Sequence, residues 1–415
     1  MNMIEVNTMN KCDYFIPFSP PLIGEEEINE VVDTLKSGWI TTGPKTQKFE
    51  KMFADYVNAE SAVATSFCTL ALHLAMIGLG VEENDEVITT PFTFASTSHV
   101  ILYQKAYPVY IDIEKSTYNI DPDEVENFLK KCTFDERIKK PVNPKTGRIV
   151  KGMLIVHYGG HPCEMDKLLA LSKKYNIFLV EDAAHAIGAE YKGKKIGSIG
   201  DITCFSFYAT KNITTGEGGM LTTNDKELAE KLRVLSMYGI SDARKIWKRY
   251  SPKGTWDYDI QFLGLKCNFT DMQASLGIHQ LAKLSEFTRI RNEFAQIYDD
   301  EFKEVEGLII PEKEDYCVHA RHLYPLLIEN SLFDVKRDQL IEQLKEMNIG
   351  TSVLFKPLYM HSFYQDFLKE TDNLYPVSDS VFQRLINLPI SPKIKYQDIQ
   401  YIAKTLRSIL EGARK

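Results

Sequence analysis

Short apolar segments alternate with helix-like segments between about residues 60 and 225. The apolar segments are Ser61–Thr65, Glu86–Thr90, Pro108–Ile113, Met153–His157, Ile177–Glu181, Ile202–Phe207 and Met220–Thr223. Helical periodicity separates several of them, as in Leu70–Gly80 and Met165–Tyr175. Such alternation is typical of βα units, and nearly continuous apolar strands are typical of sheets covered on both faces. The pattern therefore predicts a large α/β domain with a mostly parallel, seven-stranded sheet.

The pattern changes near residue 270. Long helical segments, Asp271–Lys303 and Val335–Met347, are combined there with short strand-like segments such as His322–Ile328. This mixture indicates a second, smaller α+β domain. We therefore place a large domain at residues 20–265 and a small domain at residues 266–415, with residues 1–19 as a candidate to pack on the small domain.

Four further segments have distinct patterns. An amphipathic helix is predicted over Glu25–Lys36, with Gly38 ending it. The segment Trp39–Pro44, which ends in Gly-Pro, is interpreted as a connecting loop. The charged segments 131–151 and 241–258 are expected to be exposed loop or hairpin excursions.

The charge balance and cysteine content restrict the function. The chain has 415 residues, 49 of them basic and 57 acidic, for a net charge of −8. An acidic chain is a poor general binder of nucleic acid or anionic membrane. The longest apolar stretch, Leu70–Val81, is too short to span a bilayer. The seven cysteines include no CxxC pair, so neither a disulfide framework nor a metal site is expected, and we predict a soluble, cytoplasmic protein.

The most informative chemistry lies in the segment Ser206–Asn212. Its lysine, Lys211, follows an apolar strand-like segment and precedes a glycine-rich turn at residues 216–219. A lysine held by a strand end and open to a loop is suited to forming an imine with a carbonyl cofactor. The alternative is an ordinary surface lysine, which the packed aromatic flanks of this segment disfavour.

A second group of candidates follows the apolar segment Ile177–Glu181. Asp182 is a candidate partner for the pyridine nitrogen of pyridoxal phosphate, where a carboxylate keeps that nitrogen protonated. The alternative role for Asp182 is a helix cap. His185 is a candidate to contact either the cofactor's phenolic oxygen or Asp182, and a hydrogen-bonded core histidine is the alternative.

Further candidates are suited to holding the cofactor's phosphate and ring. Cys68 and Thr69 follow the first strand and open a helix, where hydroxyls and backbone amides form a natural anion site. Ser206 would add a hydroxyl from a neighbouring strand. Phe94 is a candidate to stack on the pyridine ring, although an aromatic side chain in a core is the more usual arrangement.

Together these motifs resemble the DegT/StrS family of nucleotide-sugar aminotransferases. They occur in the family's order: the Ser-Phe-Cys-Thr turn at 66–69, Phe-Thr-Phe at 92–94, Glu-Asp-Ala-Ala-His at 181–185, Ser-Phe-Tyr-x-x-Lys-Asn at 206–212 and Gly-Glu-Gly-Gly at 216–219. The resemblance extends from about Phe18 to the C-terminal region. It implies fold type I of the pyridoxal-phosphate enzymes and a homodimer with active sites at the interface.

The resemblance also implies roles for individual residues. Lys211 would form the Schiff base with pyridoxal 5′-phosphate, and Asp182 would face the ring nitrogen. His185 would lie near the phenolic oxygen and Phe94 against the ring. The phosphate would be held by Cys68, Thr69, Ser206 and, from the partner subunit, Asn268.

The activity implied is transamination from L-glutamate, which becomes 2-oxoglutarate, to a UDP-, GDP- or dTDP-linked ketosugar. The segment Ser37–Pro44 favours amination at sugar carbon 4. His322 and His361 are candidates for the sugar end of the pocket, and four basic residues for a diphosphate, with a solvated surface run as their alternative: Arg244, Lys245, Lys248 and Arg249. Two other functions stay open: a ketosugar dehydratase, whose known members carry histidine at the position of Lys211, and a non-catalytic regulator that binds pyridoxal phosphate.

Overall fold

The computed structural model describes residues 10–241, 257–310, 312–368 and 374–415. Its strands are β1 (Ser61–Thr65), β2 (Glu86–Thr89), β3 (Tyr107–Tyr110), β4 (Thr133–Asp135), β5 (Lys140–Val142), β6 (Val150–Val156), β7 (Phe178–Asp182), β8 (Glu190–Tyr191), β9 (Lys194–Lys195), β10 (Ile202–Ser206), β11 (Gly219–Thr223), β12 (Leu308–Ile309), β13 (Cys317–Val318), β14 (Tyr324–Ile328) and β15 (Leu385–Leu388).

The α-helices in the described ranges surround these strands. They are α1 (Glu25–Ser37), α2 (Pro44–Val57), α3 (Cys68–Gly78), α4 (Ala95–Tyr103), α5 (Pro122–Lys131), α6 (Met165–Tyr175), α7 (Lys226–Leu235), α8 (Asp271–Phe302), α9 (Arg337–Glu346), α10 (Ser362–Leu368), α11 (Pro376–Arg384) and α12 (Tyr396–Gly412). Across the described ranges, none of the helices combines the length and apolar character needed to cross a membrane.

Seven strands form the central sheet, in the order β1-β11-β10-β7-β6-β2-β3. The pairs from β10 to β3 are parallel, whereas β11 is antiparallel to both of its neighbours. The predicted seven-stranded, mostly parallel sheet is confirmed. Alternate residues of its strands are buried in two apolar clusters, one on each face, which is why these strands lack a polar side.

A smaller sheet, β12-β14-β15, is antiparallel and packs in a third apolar cluster with α9 and α12. Helix α8 connects the two regions, because its Leu281 and Leu284 lie in the core of the large sheet and its Tyr298 and Phe302 lie in the smaller core. The N-terminal Ile16 is also buried in the smaller core. The domain boundary near residue 265 stays a prediction.

The connecting segments differ in part from their predicted structures. Pro44 does not end an element but occupies the first turn of α2, a position that suits proline because its missing N–H would have no helical acceptor there. The first excursion contains the hairpin β4–β5, and its Asn143 and Thr146 donate hydrogen bonds to the buried Glu86. Most of the second excursion, residues 242–256 with all four of its candidate basic residues, lies outside the described residues.

Helix α1 directs its apolar side chains outward. Ile28 and Leu35 are about half exposed, whereas Glu27 of the same helix is fully buried. Glu27 accepts hydrogen bonds from Gln280 and Lys283 of α8 at 2.8–3.0 Å. Polar contacts therefore attach α1 to the molecule and leave its apolar stripe facing solvent.

Candidate active site

The carboxyl ends of the parallel strands bring the chemistry-bearing segments to one edge of the sheet. Asp182 ends β7 and pairs with Cys204 of β10. Ser206 ends β10 and lies opposite Gly219, which also pairs with Thr65 at the end of β1. Loops that follow these strands therefore meet in one crevice, the usual place of ligand sites in open α/β sheets.

That crevice is a pocket of about 720 Å³, a volume suited to a cofactor together with part of a substrate. Seven of the predicted site residues line it: Cys68, Thr69, Phe94, Asp182, His185, Ser206 and Lys211. His322 also lines the pocket. Residues far apart in the chain thus meet around one cavity.

Lys211 lies in the turn after β10, where its backbone N–H donates to the Tyr208 carbonyl at 2.9 Å. The side chain reaches the pocket. Burial lowers the pKa of its ammonium to about 8, although Cys68 and Asp182 act in the opposite direction. A larger fraction of this amine is therefore neutral at physiological pH than for an ordinary lysine, as a nucleophile requires.

Asp182 is buried at the end of β7, and both of its carboxylate oxygens accept hydrogen bonds. The Thr97 hydroxyl donates to Oδ2 at 2.8 Å, and the Ala184 N–H donates to Oδ1 at 3.1 Å. Burial raises the pKa of Asp182, and these two donors act against that rise. The carboxylate is therefore oriented from two sides.

His185 is held flat at the wall of the pocket. Its ring stacks on Phe355 with centroids 5.6 Å apart and an interplanar angle of 9°. The Gly159 N–H lies 3.3 Å from Nδ1, so Nδ1 is the acceptor and Nε2 carries the hydrogen in the neutral ring. Burial holds the pKa of His185 well below its usual range, which keeps the ring neutral.

A second histidine, His322, lies beside the first with ring centroids 4.3 Å apart. The Asn212 side-chain amide donates to the Ala320 carbonyl at 2.9 Å, so its Oδ1 is free to accept from His322 Nδ1 at 3.1 Å. This leaves His322 Nε2 as a hydrogen-bond acceptor. Burial lowers the pKa of this ring well below its usual range too.

The N-terminus of α3 forms one end of the pocket. The first hydrogen bond within its opening turn comes from Leu70, whose N–H donates to the Phe67 carbonyl, so the amides of Cys68 and Thr69 precede the helical ladder. A Cβ at Gly219 would lie 2.7 Å from the backbone of Phe67 and Cys68. Glycine at this place therefore lets β11 approach the turn and keeps the cradle open for an anion.

Two predicted residues lie elsewhere. Asn268 does not line the pocket of its own chain, and its side-chain amide donates to Thr42. His361 is exposed at the start of α10 and is also absent from the pocket wall.

Sequence reasoning missed three residues of the site: Thr97, Asn212 and Phe355. Thr97 is signalled by its spacing of four residues from Thr93, and Asn212 by its place next to Lys211. Phe355 comes from the smaller region of the chain. Nothing near it in sequence connects it with His185, so only the folded structure reveals it.

The topology and the pocket together define a class of enzyme. A mostly parallel seven-stranded sheet with a lysine and an acid at its carboxyl edge is the arrangement of pyridoxal-phosphate enzymes of fold type I. The pocket offers an amine for the aldehyde, a carboxylate for a ring nitrogen and an anion cradle for a phosphate, so the donor set fits this cofactor.

The profile of the DegT/DnrJ/EryC1/StrS aminotransferase family matches residues 21–407, and the chain belongs to this family. It is similar to the spore coat polysaccharide biosynthesis protein SpsC of Bacillus subtilis, with 45% identity over 98% of this chain and 100% of that protein. It is also similar to the UDP-4-amino-4,6-dideoxy-N-acetyl-beta-L-altrosamine transaminase of Campylobacter jejuni, with 35% identity over 96% of this chain and 99% of that enzyme.

Among solved structures, the putative sugar aminotransferase Spr1654 of Streptococcus pneumoniae in its PLP-form has a TM-score of 0.84 and 33% identity, and the match covers 96% of this chain and 99% of that one. The predicted family, fold type and cofactor are thereby confirmed. The protein is a pyridoxal-phosphate-dependent aminotransferase, and its relatives are sugar aminotransferases.

Proposed function

We propose that the protein transfers the amino group of L-glutamate to carbon 4 of a nucleotide-linked ketosugar. The observation that carries the proposal is the meeting of Lys211 and Asp182 in one pocket with room beyond the cofactor for a substrate. The relatives support a sugar as acceptor, since one is named as a transaminase of a UDP-linked aminosugar.

Lys211 has two tasks in this proposal. It holds the cofactor covalently between turnovers, and its lowered pKa keeps the amine ready for that bond. When it is free of the cofactor, Nζ would accept the proton of the glutamate α-carbon. In the second half-reaction the same nitrogen delivers a proton to the sugar carbon that receives the amine.

Bound pyridoxal phosphate supplies the electron sink for cleavage of the α-carbon–hydrogen bond. Asp182, held as a carboxylate by Thr97 and Ala184, would face the ring nitrogen and keep it protonated. His185 would present its Nε2–H beside the ring. Phe94, which is 63% exposed at the pocket rim, would stack against a face of the cofactor's ring.

The phosphate would rest on the N-terminus of α3, between the amides of Cys68 and Thr69 and the hydroxyl of Ser206. Burial raises the pKa of the Cys68 thiol well above its usual range, so this side chain adds no negative charge beside an anion. The remaining donor would be Asn268 of the partner subunit.

At the sugar end, His322 would accept a hydrogen bond from a substrate hydroxyl. Its Nδ1–H is already used by Asn212, which fixes Nε2 as the acceptor. This arrangement suits a hydroxyl-rich substrate, because a buried acceptor without a donor would be costly.

We further propose a homodimer with shared sites. Within one chain, Asn268 does not line the pocket and donates to Thr42 instead, and the apolar stripe of α1 has no covering element in the described residues. A second copy would explain both features. The seven free cysteines suit the reducing cytoplasm predicted from the sequence.

The test is a panel of UDP-, GDP- and dTDP-linked 4-ketosugars and 3-ketosugars, each incubated with holoenzyme and L-glutamate. We expect 2-oxoglutarate and an aminosugar in equal amounts with at least one 4-ketosugar. Borohydride reduction followed by peptide mapping should place the cofactor on Lys211.

Two controls accompany the panel. Lys211→Ala should abolish product formation, whereas Lys226→Ala, at an exposed lysine paired with Glu60, should leave it unchanged. Conversion of glutamate without amination of any ketosugar would refute the proposed acceptor. Turnover by Lys211→Ala would refute the proposed mechanism.

A further inference from the structure

A chain of two buried hydroxyls, one from the turn before helix α4 and one from its first turn, leads to the carboxylate of Asp182. The Thr93 and Thr97 hydroxyl oxygens lie 2.8 Å apart, and Thr97 Oγ1 lies 2.8 Å from Asp182 Oδ2. Thr97 is fully buried and Thr93 nearly so. Both hydroxyls are therefore shielded from bulk water and depend on each other for hydrogen bonds.

The donor and acceptor roles of the two hydroxyls follow from the carboxylate to which they lead. An ionised carboxylate only accepts hydrogen bonds, so the single hydroxyl hydrogen of Thr97 points to Asp182. Thr97 Oγ1 then accepts, and the donor to it is Thr93. The result is a directed relay from Thr93 to Thr97 to Asp182, in which each hydroxyl polarises the next.

The relay acts on a carboxylate whose charged form is disfavoured by burial. Burial raises the pKa of Asp182, and the Thr97 hydroxyl is the first of the interactions that lower it, followed by the Ala184 amide. Thr97 also lies in the first turn of α4, where the helix dipole favours a negative charge. A valine of nearly the same shape would fill this space without donating.

We propose that Thr97 is a positioning residue that keeps Asp182 ionised and turned toward the cofactor's ring nitrogen, with Thr93 supporting it. This inference rests on the role proposed above for Asp182. The relay does not touch the reacting atoms. It acts by fixing the charge and the orientation of the one carboxylate that does meet the cofactor.

The experiment uses holoenzyme reconstituted with pyridoxal phosphate labelled with ¹⁵N in the ring, together with the Thr97→Val and Thr97→Ser variants. The ¹⁵N chemical shift reports whether the ring nitrogen is protonated. We expect Thr97→Val to move this resonance toward the unprotonated position and to slow the half-reaction with L-glutamate roughly 10- to 100-fold, the range for a lost hydrogen bond to a charged group. Thr97→Ser should keep both values close to those of the unmodified protein.

Thr97→Cys, which retains a weaker donor at the same place, should lie between these variants and carries the test if Thr97→Val does not fold. Thr93→Val should change the resonance in the same direction by less. Thr97→Val or Thr97→Cys with an unchanged ¹⁵N shift and rate would overturn the proposal.

The Asp182→Asn variant distinguishes a failure of the role proposed for Thr97 from a failure of the role proposed for Asp182. If Asp182→Asn loses the protonated resonance and Thr97→Val keeps it, only the role of Thr97 is refuted. If Asp182→Asn keeps it as well, the role of Asp182 itself is refuted. Neither readout needs a sugar substrate, so an incorrect choice of ketosugar cannot imitate either result.

Discussion

At the scale of the residue, burial sets the charges that the pocket offers. It lowers the pKa of Lys211 to about 8 and holds the pKa values of His185 and His322 well below their usual range. Burial also raises the pKa of Asp182, and hydrogen bonds from Thr97 and Ala184 oppose that rise. The pocket thus combines two neutral histidines, a lysine that is neutral more often than usual and one acid, a set suited to moving protons near neutral pH.

Capture of pyridoxal phosphate by the apoprotein should depend on pH through Lys211. Its amine is charged below the pKa and neutral above it, so the rate of capture should rise with pH and level off above a midpoint near 8. Stopped-flow absorbance across pH 6 to about 10 would measure this profile. A free lysine derivative under the same conditions is the control. A protein rate that keeps rising to pH 10, as the control should, would contradict the lowered pKa.

At the scale of the element, α1 is attached to α8 by polar contacts rather than by an apolar face. Glu27 is fully buried and receives hydrogen bonds from Gln280, Lys283 and the Gly24 amide. Burial would raise the pKa of Glu27, yet these donors keep it below its ordinary value. The carboxylate is therefore charged in the folded protein and depends on its cation.

Removing that cation should destabilise the protein measurably. Lys283→Ala leaves Glu27 buried with only neutral donors, and we expect a loss of about 2 kcal/mol in the free energy of unfolding. Urea unfolding followed by circular dichroism would measure it. Glu26→Gln is the matched control, because Glu26 is the exposed partner of the same lysine, and it should cost less than about 0.5 kcal/mol. Equal losses in the free energy of unfolding for both variants would show that the ion pair with buried Glu27 is no more stabilising than the ion pair with exposed Glu26.

At the scale of the whole molecule, the phosphate site proposed above would need a residue from a second copy of the chain. Asn268 is directed to Thr42 within its own chain rather than to its own pocket. In a twofold symmetric dimer, a residue that leaves one site can complete the other. The homodimer proposed above therefore has a functional consequence.

Active-site complementation tests that consequence. Lys211→Ala and Asn268→Asp should each be nearly inactive alone, the second because its carboxylate would repel the phosphate. Co-expressed at equal levels, they should regain about a quarter of the full activity, because half of random dimers then contain one intact site of two. Co-expression of Lys211→Ala with the Lys211→Ala, Asn268→Asp double variant is the control and should stay inactive. Activity no higher than that of the single variants would place Asn268 outside the partner's site.

The sequence alone determined the strand order along the chain, the sheet's composition and most of the pocket. These features depend on local signals: apolar strands, glycine-rich turns and motifs such as the one around Lys211. Because local signals do not show where a strand leaves its sheet, some strand ends differ from the prediction. The third strand was predicted to reach Ile113 but ends at Tyr110, because Ile113 leaves the sheet and packs in a different apolar cluster.

Tertiary structure decided what local signals do not carry. The stacking of His185 on Phe355 and the hydrogen bond from Thr97 to Asp182 join residues distant in the chain. The exposure of the apolar side chains of α1 likewise depends on how that helix packs. An apolar stripe looks the same in sequence whether it meets its own core or faces outward, and a threonine looks the same whether or not a carboxylate lies beside it. Burial and hydrogen-bond partners, which set charge and exposure, exist only once the chain has folded.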